Sequence, residues 1–324
     1  LVPKDGKKVS DKRPVVVVCG ATATGKTALA LALASYYSLE VLSADARQVY
    51  ADMEGGTAAP TAEQRAAVPH HFVATLRPGQ EWTAALFARE AHMAIDAMPL
   101  TTLPMVVGGA GLYITALTDG LSPELEPTPA NVRLAVQRIM DLEGKDVAWE
   151  RLYAVDRAAA ELYADKNPRR IQRALEYHAT TGRRISDTWS VQRHIPPYSF
   201  TRIGLTMPRE ELYHAINERC RAMVPALLAE TQSLLDAGLS STDQCMQTVG
   251  YAQATLHIQG TLSFQEMLND FQQATRRYAK RQETWFKRDD RITWFDALST
   301  TLVQDVDSFL RAQGLQAYCL TGIP

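Results

Sequence analysis

The feature that most constrains the fold of this chain is Gly20-Ala21-Thr22-Ala23-Thr24-Gly25-Lys26-Thr27. It fits the pattern G-x-x-x-x-G-K-[ST], follows the β-branched run Val15-Val16-Val17-Val18, and opens a stretch rich in Ala and Leu. A strand, a glycine-rich turn and a helix in that order aim backbone N–H groups and a helix N-terminus at an anion. Average residue frequencies produce this pattern by chance in about one chain in a hundred of this size. Gly20, Ala21, Thr22, Ala23, Thr24 and Gly25 are therefore expected to cradle a diphosphate, with Lys26 neutralising phosphate charge and Thr27 placed to hold Mg²⁺. Such a loop grips phosphates and not the group attached to them, so nucleotide (ATP) binding stays open.

The run Val15 to Val18 shows no polar alternation, as expected of a parallel strand covered on both faces. Thr27 to Tyr37 reads as a helix, and Glu40 to Ser43 and Leu103 to Val107 as further strands. This alternation predicts an α/β class core like that of phosphate-loop NTPases, a parallel sheet flanked by helices. From Leu121 the prolines Pro123, Pro127 and Pro129 mark a linker, and strand signals give way to helical ones. Thr128 is the expected N-cap of a helix with Pro129 at its first position, and Asn167-Pro168 opens another that Gly182 closes. The chain returns to an extended segment at Thr201 to Thr206, then to a helical region that Pro225 is expected to kink or divide and Gly238 to end. A basic helix from about Ser263 to Phe286 and a strand at Ile292 to Phe295 follow. The expected organisation is a flexible leader at 1–13, a core domain made of 14–122 and 200–324, and an all-helical insertion domain at 123–199.

With 46% hydrophobic and 22% charged residues, the 324-residue chain has the composition of a well-packed globular protein, not of a disordered or fibrous one. No apolar run approaches the ~20 residues of a membrane helix, so no membrane role and a cytoplasmic location are expected. The four cysteines lie far apart without a C-x-x-C pair, which argues against a disulfide framework or a zinc site. The formal net charge is only -2, yet positive charge is concentrated locally. Six Lys/Arg face one acid between Arg276 and Arg288, and six face two acids between Asp165 and Arg184. Two basic islands in a balanced chain suggest a polyanion held at two places; the bland alternative is a pair of solvated helix faces.

An ordinary NTPase presents a second Mg²⁺-organising acid after an apolar strand, but Met105-Val106-Val107 runs into Gly108-Gly109-Ala110-Gly111. The available acid is Asp45, after the Val41-Leu42 strand. Adjacent parallel strands share a crevice at their carboxyl ends, which would bring Asp45, the phosphate loop and Gly108-Gly109 together. There Asp45 could act as a general base for an incoming nucleophile, or it could simply cap a helix. His70 and His71 are adjacent and point apart on a strand, which favours structural or RNA-adjacent roles over one shared metal. Trp285, Phe286, Trp294 and Phe295 are assigned to core packing ahead of base stacking, and Tyr113 and Tyr251 are candidates for the lining of a base channel.

The phosphate loop, Ser43-Ala44-Asp45-Ala46-Arg47-Gln48-Val49-Tyr50, Gly56-Thr57-Ala58-Ala59-Pro60-Thr61, Val68-Pro69-His70-His71, Gly108-Gly109-Ala110-Gly111-Leu112-Tyr113, the run Asn167 to Glu176, Val249-Gly250-Tyr251 and the run Thr275 to Gln282 with Thr284-Trp285-Phe286 follow one another in one order. Together they resemble the tRNA dimethylallyltransferase (tRNA isopentenyltransferase) family across about residues 14 to 296. The resemblance implies transfer of a dimethylallyl group from dimethylallyl diphosphate to N6 of the adenosine immediately 3′ of the anticodon, with Mg²⁺ as cofactor and diphosphate released. Carried over, Asp45 would accept the amine proton while Lys26, Thr27 and Arg276 hold diphosphate and metal. Ala110 would lie at the donor and the base. Asp45, Ala46, Arg47, Gln48, Arg133, Arg169, Arg170, Ile171, Gln172, Arg173, Gln247, Thr248, Val249, Gly250, Tyr251 and Ala252 match stretches that touch tRNA in the family. The anticodon stem-loop would be gripped by core and insertion, and the target base would leave its stack to enter a channel opposite the donor. One chain supplies both lobes, so a monomer is expected.

Three positions depart from the family's pattern: Ala110 where Thr or Ser is common, Ala46 where Ser is common, and Ala252 where Lys or Arg often stands. Loss of a hydroxyl near the bridging oxygen of the donor would cost about 3 kcal/mol, roughly a hundredfold in rate. Three other readings compete: a small-molecule kinase, against which the missing second acid counts; prenylation of free adenine nucleotides, against which the basic insertion counts; and a tRNA-binding scaffold without catalysis, against which Asp45, Lys26 and Thr27 count.

Overall fold

The computed structural model describes residues 12–121, 128–190 and 196–320. The linker prolines Pro123 and Pro127 and the leader up to Asp11 lie outside the described residues. By contacts the chain separates into two compact units, one formed by Leu1–Thr118 with Pro196–Pro324 and the other by Asp119–Ile195.

The first unit is built on a six-stranded, wholly parallel sheet of order β3-β2-β4-β1-β5-β6, with β1 Arg13–Gly20, β2 Leu39–Ala44, β3 His70–His71, β4 Leu103–Gly108, β5 Tyr198–Thr206 and β6 Ile292–Asp296. Parallel strands require crossovers, supplied here by helices α1 Lys26–Leu33, α2 Glu54–Thr57, α3 Ala62–Ala67, α4 Ala84–Ala97 and α5 Gly111–Asp119. Val15 to Val18 have no exposed surface, as the unalternated run demands. Val16 and Val18, with Val41, Met105 and Leu205, pack against Leu29 and Leu33 of α1 on one face of the sheet. On α4 and α5, Phe87 and Tyr113 join Phe72 and Trp82 in an aromatic cluster. Each fully buried side chain of this kind contributes roughly 1.5–3 kcal/mol.

The second unit is a helical bundle of α6 Ala130–Leu142, α7 Gly144–Val155, α8 Arg157–Leu162 and α9 Pro168–Thr181. Its core joins Val136, Leu152, Ile171, Ala174 and Ile185. Asp156 is buried but satisfied: one oxygen caps α8 at the Ala159 N–H (3.1 Å) and the other accepts from the Ser186 N–H (2.9 Å). Asn167 caps α9 ahead of Pro168, and Gly182, with φ of 70°, closes it as expected. Back in the first unit come α10 Arg209–Asp236, α11 Tyr251–Ile258, α12 Phe264–Phe286 and α13 Leu302–Ala312, the last packing Val306 and Leu310 beside α1.

Four expectations need correction. Arg13 is not leader: it pairs with Tyr198, and its guanidinium donates to the carbonyls of Ile95, Met98, Pro99 and Thr102 at 2.5, 3.0, 2.7 and 3.1 Å, closing the C-terminus of α4. Strand β5 begins at Tyr198, inside the span assigned to the insertion, because register with β1 continues through a mixed polar and aromatic segment with no apolar run. Pro225 does not divide α10, which runs unbroken for 28 residues. Both Pro225 and Arg221, whose carbonyl loses its helical donor, are exposed residues, so the proline sits on the outer face of the helix. Pro129, not Thr128, is the N-cap of α6, since the Thr128 hydroxyl instead accepts from Arg173 (3.0 Å).

Candidate functional site

The carboxyl ends of β1, β2 and β4 carry the phosphate loop, Asp45 and Gly108-Gly109 to one edge of the sheet. Ala44 and Gly108 are register partners so close that a Cβ on Gly108 would lie 2.1 Å from the Ala44 carbonyl oxygen. Glycine is required there for β2 and β4 to meet. The loop curls through left-handed backbone at Ala23 (φ 67°) and Gly25 (φ 82°), which turns its N–H groups inward. Internal bonds brace it: the Lys26 ammonium (2.5 Å) and the Thr24 hydroxyl (2.9 Å) both donate to the Ala21 carbonyl.

A cleft of about 420 Å³ opens over the loop, within the ~300–1,000 Å³ typical of small-ligand sites. Its walls are Thr22, Lys26 and Thr27; Asp45 and Gln48; Thr57, Ala58, Pro60 and Gln64; Gly108 and Gly109; Arg219 from α10; and Tyr278 and Gln282 from α12. Gln282 ties three elements together. Its carbonyl accepts from the Thr22 N–H (2.7 Å), and its amide donates to the Gly109 carbonyl (3.0 Å). A Cβ on Gly109 would strike that amide at 2.0 Å, which explains the second glycine of the pair.

Two cations occupy the cleft. Burial, and then repulsion from Arg219, pushes Lys26 down to about 8 from the usual lysine value. Burial likewise lowers Arg219, which donates to the Thr22 hydroxyl (2.5 Å) and whose Nε is buried without a partner. Asp45 is the carboxylate whose charge reaches both. Two half-buried cations held by neutral groups, beside a nest of loop N–H groups, make a site for a multiply charged anion.

Among the described residues no helix begins at Asp45 for it to cap; 45–50 form a turn, and the Asp45 carboxylate braces it. Its Oδ1 accepts from the N–H groups of Arg47 (2.8 Å) and Gln48 (3.2 Å), fixing the carboxyl plane. Among the described residues Oδ2 accepts no hydrogen bond, while the side chain lines the cleft. An oriented carboxylate with one available oxygen is the form a general base takes.

The sequence model of the family described as IPP transferase matches residues 48–289, and that of the family described as Isopentenyl transferase matches residues 13–75. The chain belongs to the IPP transferase family. It is 41% identical to tRNA dimethylallyltransferase 1 of Syntrophotalea carbinolica, over 94% of this chain and 98% of that one. It is 39% identical to tRNA dimethylallyltransferase of Thermomicrobium roseum, over 89% and 88% respectively. The crystal structure of the full-length tRNA isopentenylpyrophosphate transferase of Bacillus halodurans is similar with a TM-score of 0.70 and 32% identity, over 94% of this chain and 98% of that one. A eukaryotic dimethylallyltransferase caught acting on tRNA is similar with a TM-score of 0.75 and 25% identity, over 93% and 77%.

In this IPP transferase several residues singled out from sequence lie away from the cleft. Arg276 does not line the cleft: its guanidinium donates to the Asn217 side chain (2.6 Å) and lies over the Tyr213 ring. Two residues on a helix is about 200° of rotation, so with Tyr278 facing the cleft Arg276 faces away. Arg219 and Gln282 line the cleft. Ala110 sits one residue past the lining glycines, its N–H bonded to the Ala44 carbonyl (3.1 Å). Tyr113 donates to the Trp82 carbonyl (3.0 Å) and Tyr251 is fully buried, so Tyr278 is the tyrosine that lines the cleft. Burial and the Asp45 charge raise Tyr278 well above the usual phenol range, so it stays neutral. Thr248 and Gly250 are also buried, which leaves Gln247 as the exposed side chain of the 247–252 run, while Val249 and Ala252 are half-buried. Ala46 and Arg47 flank the cleft acid, half-buried.

The transferase's helical unit sorts its candidates similarly. Arg133, Arg169 and Arg170 are exposed, and Arg170 lies over the Tyr163 ring. Ile171 is fully buried in the bundle core, Gln172 bonds Glu176 (2.9 Å), and Arg173 is drawn to Thr128. Of the histidines, His70 bonds the Val68 carbonyl (2.7 Å) and His71 bonds Glu40 (2.8 Å), both structural ties. Phe286 belongs to the core as expected, Trp294 and Phe295 are half-buried, and Trp285 is exposed over Gly111.

The lowered Lys26 sets a pH dependence. A bound diphosphate favours the ammonium form, so above about 8 binding must take up a proton, and affinity falls as pH rises, by at most about tenfold per unit. Calorimetry with inorganic diphosphate across that range is expected to show this component in the wild type. The Lys26→Arg variant, whose guanidinium does not titrate, should retain only the ligand's own titration.

Proposed function

We propose that the chain transfers a dimethylallyl group from dimethylallyl diphosphate to N6 of the adenosine immediately 3′ of the anticodon in tRNA, releasing diphosphate. The observation that carries this reading is that Asp45, with Oδ2 accepting no hydrogen bond among the described residues, shares one cleft over a phosphate loop with Lys26 and Arg219. A proton acceptor and a leaving-group clamp line one cleft, and Val107-Gly108-Gly109 offers no acid where a phosphoryl-transfer enzyme would place one.

The new bond joins N6 to C1 of the dimethylallyl group as the C1–O bond breaks. Diphosphate departs with the electron pair, and Asp45 Oδ2 takes the amine proton. Negative charge grows on the diphosphate, so Lys26, Arg219 and the loop N–H groups act most strongly at the transition state; one such donor contributes typically 2.7–4 kcal/mol. Tyr278 and Gln282 wall the reacting atoms from water. The donor set fits Mg²⁺, a hard cation that binds through one or two protein oxygens with substrate phosphates and waters. Thr27 would hold it, and bound there it would neutralise part of the diphosphate charge. Exposed Arg133, Arg169 and Arg170 of the helical unit would take phosphates of the anticodon stem-loop. Among the described residues no helix is long and apolar enough to cross a membrane, and the cleft is completed within one chain, in keeping with a monomer acting on tRNA in the cytoplasm.

The test offers labelled dimethylallyl diphosphate with an unmodified anticodon stem-loop carrying three consecutive adenosines, and separately with AMP. Label is expected in the stem-loop at the first position 3′ of the anticodon. Label in AMP at a comparable rate would overturn the choice of acceptor. Ala110→Thr tests the family departure: a hydroxyl restored beside the donor is expected to raise the single-turnover rate at least tenfold. An unchanged rate would mean that another group already serves the bridging oxygen.

A further inference from the structure

The cleft wall at 57–60 has no sheet strand behind it. It follows α2, a single helical turn whose first N–H groups have no partner within the helix. A carboxylate from α10 supplies that partner: Glu230 Oε1 accepts from the Gly55 N–H (2.7 Å), and Oε2 accepts from the Gly56 N–H (2.8 Å). Glu230 Oε2 also accepts from the Tyr251 hydroxyl (2.6 Å), and the Tyr251 ring is fully buried behind it. The two glycines are what let α2 sit this close. A Cβ on Gly55 would lie 2.5 Å from Ala226 Cβ, and one on Gly56 would lie 2.5 Å from the Tyr251 hydroxyl oxygen.

At its other end α2 meets the catalytic side. Its closing carbonyls, of Thr57 and Ala58, face the Gln48 amide at 3.4 and 3.2 Å. The Gln48 carbonyl accepts from the Ser43 hydroxyl (3.1 Å), and the Gln48 N–H is one of the two that fix Asp45. A continuous set of bonds thus runs from Tyr251 through Glu230, α2 and Gln48 to the carboxylate in the cleft. The cations Lys26 and Arg219 stand outside it, held by the phosphate loop.

We infer that Glu230 and Tyr251 are positioning residues, which clamp α2 and through Gln48 hold the Asp45 carboxylate in its working orientation. Tyr251 thereby acts from the interior, not as a contact to RNA. The inference rests on the proposed reaction only for its kinetic consequence; the mechanical consequence stands apart from it.

The experiment compares wild type with Tyr251→Phe, Glu230→Gln and Glu230→Ala by amide hydrogen exchange and by single-turnover transfer at saturating donor. Tyr251→Phe keeps the buried ring, so it remains informative if Glu230→Ala folds poorly. Exchange is expected to quicken at least fivefold at Gly55 and Gly56 and also at Arg47 and Gln48, with α12 unchanged. The transfer rate is expected to fall about tenfold in Tyr251→Phe and further in Glu230→Ala, with Glu230→Gln between them. Affinities for inorganic diphosphate and for the stem-loop should stay within twofold. Faster exchange confined to Gly55 and Gly56 would overturn the positioning role, as would a Tyr251→Phe variant that loses stem-loop affinity while keeping its rate. If the wild type transfers nothing, the proposed reaction fails, and the exchange pattern at Arg47 and Gln48 still decides the clamp.

Discussion

Asp45→Asn is expected to lower single-turnover transfer at least a hundredfold while leaving affinity for dimethylallyl diphosphate within about threefold of wild type. The substitution is nearly isosteric, and the asparagine carbonyl can still accept from the Arg47 and Gln48 N–H groups that fix the native carboxylate. What it removes is the carboxylate oxygen that accepts no hydrogen bond among the described residues, Oδ2, which becomes an amide that cannot take a proton. General bases contribute typically 10²–10⁴-fold, so a hundredfold loss is the lower end of the expectation. Affinity should not fall, because removing the Asp45 charge leaves Lys26 and Arg219 less neutralised toward the donor. A loss below tenfold, measured in single turnover with labelled donor, would assign Asp45 to bracing the 45–48 turn alone.

Arg219→Ala is expected to lower the rate by about 10²–10³-fold, the effect of deleting one preorganised donor at a developing anion, and to weaken inorganic diphosphate. Arg219→Lys should recover only part, since an ammonium cannot reproduce a planar fork held at the Thr22 hydroxyl. The paired control is Arg276→Ala, which is expected to change donor affinity less than threefold because its guanidinium is engaged by Asn217 and Tyr213. The reverse ranking of the two arginines would contradict the cleft described above.

These two arginines show what could be read from sequence. The phosphate loop was legible because its chemistry is written in eight consecutive residues, and β1, β2 and β4 because apolar runs leave few other options. Asp45 was legible from its place after a strand. Arg219 was not, because it stands among Glu218 and Arg221 in a long charged helix, and its bond to Thr22 spans 197 residues. Gln282 lies within a recognisable run, yet its clamp on Thr22 spans 260 residues. Arg276 was assigned by membership of that same run, and helical rotation puts it on the other side. Tyr251 likewise lies in a segment matched to RNA contact, and only packing against Gly56 and Glu230 shows that its side chain points inward. Local motifs identify which chemistry is present; the faces of α10 and α12 decide which side chains perform it.

The central claim is that the phosphate loop of this transferase holds a leaving group and not a phosphoryl donor. The most direct measurement uses dimethylallyl diphosphate labelled with carbon at C1 and with phosphorus in the diphosphate, reacted in single turnover with the unmodified anticodon stem-loop. The account predicts carbon label on N6 of the adenosine 3′ of the anticodon, with all phosphorus recovered as inorganic diphosphate in equal amount. Phosphorus on the RNA, or inorganic phosphate released in place of diphosphate, would contradict it.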